Sequence, residues 1–82
     1  MTDHSDWTER DGALERELVL ESFPAAIALV NRIAELAERE GHHPDLHVSY
    51  RTVTIRWTTH SAGRITDRDR RLAALTDELL PG

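Results

Sequence analysis

Leu46 to His60 reads LHVSYRTVTIRWTTH. From Leu46 to Tyr50, apolar and polar residues alternate. From Val53 they alternate again, with Val53, Ile55 and Trp57 set against Thr54, Arg56, Thr58 and His60. A period of two places successive side chains on opposite faces of a strand. The stretch therefore predicts two adjacent strands with a tight connection near Arg51-Thr52. The β-branched residues support the second strand. The connection has weak turn chemistry, since neither Arg51 nor Thr52 favours positive φ.

Upstream, the period changes. Ala26, Ile27, Val30, Ile33, Ala34 and Ala37 recur at helical spacing, and Leu29 and Leu36 widen the apolar arc. Asn31, Arg32, Glu35 and Arg39 mark a wet side. Ser22 is a fair N-cap, and Pro24 falls in the first turn, where its missing N–H costs little. Gly41 is placed to end the helix in a left-handed cap. The spacing predicts a helix over 23–40. Its arc is broader than a small sheet needs, which points to a subunit contact.

Further upstream, Leu14, Arg16, Leu18 and Leu20 share one parity, with Glu15, Glu17, Val19 and Glu21 on the other. Trp7 to Arg10 starts a shorter strand, and Asp11-Gly12 is a hairpin signal between the two. Residues 1–6 read as a loose tail ahead of a single domain over 7–82. Downstream, Thr66-Asp67-Arg68-Asp69 has the form of a capping box. Leu72, Ala73, Leu75, Thr76, Leu79 and Leu80 give the last helix its stripe, and Pro81-Gly82 closes the chain. The order is β-β-α-β-β-α. It predicts an α+β domain with a four-stranded antiparallel sheet and helices on one face.

Composition narrows the function. Eighty-two residues make one small domain whose core is marginal alone, so self-association would help it. There is no cysteine, hence no disulfide and no thiolate metal site. The net charge of −5 argues against binding a nucleic-acid backbone. Arg64, Arg68, Arg70 and Arg71 cluster, but Asp67 and Asp69 interleave with them, which reads as a solvated helix face. The polar start carries no secretory signal, and no segment approaches a membrane span, so a cytoplasmic protein is expected.

The residues with chemistry to offer are Glu38, His42, His43, Asp45, His60 and Asp69. Histidine is the side chain suited to proton transfer near neutral pH. Pro44 forces His43 into extended backbone, so His42 and His43 point different ways. Three histidines are also a possible zinc set, but two of them are adjacent, a poor chelating arrangement. Asp69 fits a plain capping role, and Glu38 a solvated helix position. Trp57 shares parity with Val53 and Ile55 and reads as core. Ser61 follows His60 with no third member or oxyanion hole in view.

One combination is more specific than its parts. Glu38 precedes His42-His43-Pro44-Asp45; Tyr50 follows in the next strand; Thr59-His60 ends the strand after; Ile65-Thr66-x-x-Asp69 opens the last helix. With Trp7 and Ser22-Phe23 upstream, this resembles the pterin-4a-carbinolamine dehydratases over roughly Trp7 to Leu80. Arg64 stands where that family commonly has Gly, and Gly41 where it has a polar residue. The family usually has a helix before the Trp. Six residues precede Trp7 here, so the expected fold lacks that helix.

The resemblance implies dehydration of a 4a-hydroxytetrahydropterin without metal or cofactor, the pterin being substrate, in a homodimer or homotetramer. It implies that His42 and His60 transfer protons and that His43 contacts substrate. Glu38 and Asp69 would orient the imidazoles. Pro44, Asp45, Thr59, Tyr50 and Trp7 would border the substrate. A non-catalytic binding or assembly protein on the same fold is the rival expectation.

Overall fold

The structure is a computed structural model and describes residues 6–80. The tail expected over residues 1–6, apart from Asp6, and the closing Pro81-Gly82 lie outside the described residues. The elements are β1 (Thr8–Arg10), β2 (Ala13–Val19), α1 (Phe23–Glu40), β3 (Asp45–Ser49), β4 (Thr52–Trp57) and α2 (Asp67–Leu79). One antiparallel sheet has the order β1-β2-β4-β3. This is the predicted α+β arrangement.

Each turn has a local cause. Asp11 and Gly12 both take positive φ, 51° and 78°, as a two-residue hairpin turn demands, and Arg10 pairs with Ala13. In the second hairpin Ser49 pairs with Thr52, so the reversal falls at Tyr50-Arg51, one residue earlier than the sequence predicts. Tyr50 adopts φ 54°, a left-handed conformation that no alternation rule would assign to it. The residue just after β2 holds the turn there. The Leu20 N–H donates to the Arg51 carbonyl at 2.8 Å.

α1 is capped at both ends as expected. The Ser22 hydroxyl accepts the Ala25 N–H at 3.1 Å. Gly41 has φ 65°, and the His42 N–H returns to the Ala37 carbonyl. The buried stripe is Ala26, Leu29, Ile33, Leu36 and Ala37. It is rotated from the predicted arc: Ala34 is exposed and Ile27 half-buried. The long leucines at 29 and 36 take the centre because they fill more of the space above the sheet.

Leu14, Arg16 and Leu18 pair with Trp57, Ile55 and Val53 on one face. That face, α1 and Leu72 of α2 enclose the core. Arg16 escapes burial of its charge by reaching Asp77 at 2.8 Å. The opposite face is polar, with Glu15 bonded to Arg56 at 2.9 Å. Val19, at the end of β2, and Phe23, at the start of α1, are exposed.

Candidate active site

The left-handed turn at Gly41 delivers two adjacent histidines to opposite surroundings. His42 turns inward and is buried. Its imidazole stacks on Trp57, the last residue of β4, with centroids 5.9 Å apart and planes inclined by 13°. Its Nε2 lies 2.8 Å from Oδ1 of Asp69. His43 turns outward, and its Nε2 bonds to the Glu38 carboxylate one helical turn back. The divergence expected from Pro44 is thus present.

Asp69 is wholly buried and joins three parts of the chain. Oδ1 takes His42 of the α1–β3 junction. Oδ2 accepts the Thr59 hydroxyl at 2.7 Å and the Thr66 N–H at 2.8 Å. The Thr59 and Thr66 hydroxyls are themselves 2.7 Å apart. The last of these contacts to the Thr66 backbone is the capping box of α2. Capping and support of the imidazole are therefore done by one carboxylate. Burial opposes ionisation of Asp69 most strongly. The bonds from Thr59, the Thr66 N–H and His42 together outweigh it and hold the carboxyl below its ordinary value.

β4 ends at Trp57, earlier than the sequence predicts, and His60 sits in a turn rather than on a strand. Thr59 bridges to Arg64, and the Ala62 and Gly63 N–H groups both return to the Thr59 carbonyl. Gly63 supplies the positive φ, 67°, that closes this turn. His60 projects from it, exposed to solvent.

These pieces border one cavity of about 290 Å³. His42, His43, Thr59 and His60 line it, with Asp69 behind His42 and Glu38 against His43. The structure does not bring the other expected wall residues to it. Tyr50 lies at the far turn of the β3–β4 hairpin and is exposed. Trp7 is core, its indole N–H bonded to Asp77 at 2.9 Å. Pro44 is half-buried beside the cavity wall, and Asp45 faces Arg56 across the strand pair. Trp57 is fully buried, as its parity predicts, yet also forms the floor beneath His42.

Thr58, Ser61 and Arg68 also line the cavity, although the sequence reading assigned none of them to the substrate. Thr66 is legible in sequence as a cap and as part of the Thr-x-x-Asp motif, and its spacing to Asp69 is the signal for its part in the knot. Among the described residues, no cluster of three or more potential ligands could hold a metal ion.

The family model described as pterin 4 alpha carbinolamine dehydratase matches residues 1–79. The chain belongs to this family. A Nocardia farcinica relative that carries a provisional pterin-4-alpha-carbinolamine dehydratase name is 54% identical over 79 residues. The match covers 96% of this chain and 83% of the relative. A relative from Chloroflexus aggregans with the same provisional name is 49% identical, covering 92% of this chain and 81% of its own.

Among solved structures, a transcriptional coactivator/pterin dehydratase from Brucella melitensis superposes with a TM-score of 0.87 at 25% identity. That match covers 94% of this chain and 84% of the other. A pterin dehydratase-like RuBisCO assembly factor shares the fold, with a TM-score of 0.73 at 21% identity over 94% and 93% of the two chains. No helix of the described residues is long and apolar enough to cross a membrane.

Proposed function

We propose that this dehydratase-family chain converts 4a-hydroxytetrahydropterin to quinonoid dihydropterin by histidine acid–base catalysis. The observation that carries the reading is the convergence of His42, His43 and His60 on one cavity, two of them backed by carboxylates.

The reaction needs two proton movements. The C4a hydroxyl leaves only as water, so a proton must reach its oxygen as the C4a–O bond breaks. The N5–H bond then gives up its proton to a base, and its electron pair forms the C4a=N5 double bond. Asp69, ionised and bonded to Nε2 of His42, favours the tautomer with the proton on that nitrogen. Nδ1 is then the acceptor nitrogen, which suits His42 to take the N5 proton. His60 has no carboxylate partner among the described residues and is exposed to solvent. It suits delivery to the hydroxyl. His43, held by Glu38, would contact the ring.

The test is the decay of 4a-hydroxytetrahydropterin, generated in situ, with and without the protein. The wild type accelerates it. His60→Ala lowers kcat by roughly 10²–10⁴-fold, the usual contribution of a positioned acid or base. Because His60 is exposed, the variant keeps its melting temperature to within the effect of about 0.5 kcal/mol. A His60→Ala rate near wild type would remove the assignment. Absence of acceleration by folded wild-type protein would favour a binding or assembly role.

A further inference from the structure

The cavity wall carries a charge pattern that the dehydration itself leaves unexplained. The chain has 15 acidic and 10 basic residues, not counting histidine. Yet none of the eight residues lining the cavity is acidic, while three are His and one is Arg. The nearby carboxylates are committed: Asp69 to His42, Thr59 and Thr66, and Glu38 to His43.

Arg68 is the fixed positive charge of this wall. Its neighbours in α2 are neutralised, Arg70 by Glu9 and Arg71 by Glu40. Arg68 has no carboxylate within ion-pair distance among the described residues. Its Nη2 donates to the backbone carbonyls of Glu40 and Gly41, at 3.4 and 3.3 Å. Those carbonyls end α1, where cations are favoured. Backbone acceptors hold the guanidinium at the cavity without cancelling its charge. Nε and Nη1 keep their donors unused among the described residues, and such a fork matches an oxyanion. The bicyclic ring that loses water is neutral and needs no such partner.

We propose, building on the dehydratase reading, that Arg68 recognises an anionic group on the substrate outside the reacting ring, a side-chain phosphate or carboxylate. The pocket then prefers pterins with charged side chains to those with neutral ones.

Equilibrium binding tests this apart from turnover. Fully oxidised pterins cannot be dehydrated, so calorimetry with 6-hydroxymethylpterin, its phosphate ester and 6-carboxypterin reads recognition alone. At least one anionic ligand is expected to bind the wild type about tenfold more tightly than the neutral one, the order of a charge-assisted hydrogen bond. Which one it is distinguishes phosphate from carboxylate. Raising salt from about 0.05 to 0.3 M should shrink the preference, because screening weakens exposed charge pairs.

Arg68→Gln should bring the ratio close to one, and Arg68→Lys should retain part of it. A merely structural role would weaken neutral and anionic ligands alike. Equal binding of all three to wild type, or a preference that survives Arg68→Gln, overturns the proposal. If the anion preference is present but no dehydration is seen, the catalytic reading falls and this one stands. If none of the three binds, this proposal falls, while the decay assay decides the catalytic reading on its own.

Discussion

His42 lies flat against Trp57, its ring plane within 13° of the indole and the centroids 5.9 Å apart. A candidate catalytic imidazole thus rests on the largest fully buried side chain of the core. The indole is itself fixed, because Nε1 donates to the Thr76 hydroxyl of α2 at 3.1 Å. Site geometry is inherited from core geometry at this contact, and errors in one reach the other.

Trp57→Phe tests that inheritance. Phe keeps an aromatic floor but loses the indole N–H and leaves space beside Thr76. Thr76 still donates to the Leu72 carbonyl, so no buried donor is orphaned. The loss of volume and of one buried bond should cost about 1–3 kcal/mol. In urea unfolding the midpoint falls while the slope stays constant. An unchanged midpoint would mean that the bond to Thr76 contributes nothing.

Asp69→Asn tests the buried carboxylate through pH. The folded value of Asp69 lies below its ordinary 3.8. Ionised Asp69 therefore stabilises the fold fully above its unfolded value, and the contribution fades as pH falls from about 5 down through the folded value. Wild type should exceed the Asn variant in stability at pH 7. The gap should narrow by pH 3, because the carboxyl of the unfolded chain takes up a proton that the folded one resists. A gap of constant size between those pH values would show that the two states do not differ in their affinity for that proton.

Gly41→Ala tests the turn that parts the histidines. A Cβ at Gly41 would meet nothing within 4 Å, so the cost is conformational only, set by φ 65°. It should be about 1–2 kcal/mol. Gly41→Asn should lose less, since Asn tolerates the left-handed region. Activity should follow the same order, Gly above Asn above Ala, because relaxing this residue redirects His42. Equal activity in all three would uncouple the cap from the site.

The readability of this chain follows from how local each determinant is. Both caps of α1 are written in single residues, Ser22 and Gly41, and the first hairpin in Asp11-Gly12. Period-two alternation located β4 and put Trp57 inside. It failed at Tyr50, because alternation reports which face a residue takes and not where a chain reverses. The turn there is held by Leu20, just beyond the end of β2, whose N–H reaches the Arg51 carbonyl. The placing of Tyr50 at the substrate comes instead from the family likeness, and Tyr50 does not line the cavity.

The histidines and their carboxylates were legible as a combination, through likeness to a family. The link from Asp69 to Thr59 spans ten residues and depends on how α2 meets β4, which no spacing rule expresses. Arg68 was hidden for a related reason. In sequence it is one of four arginines among acids, and only packing separates the one facing a cavity from those paired on the surface.

The double duty of Asp69 has a kinetic corollary. A helix normally frays at its ends at little expense, and the opening turn of α2 would be an ordinary place for that to happen. Here the residue that would let go also anchors His42 and Thr59. Each fraying event dismantles the proposed acid–base apparatus, and each re-closure rebuilds it. On the proposed function, hydrogen exchange at the first amides of α2 is thus a clock for how often the site is dismantled, and a substrate that presses on the cavity should slow it.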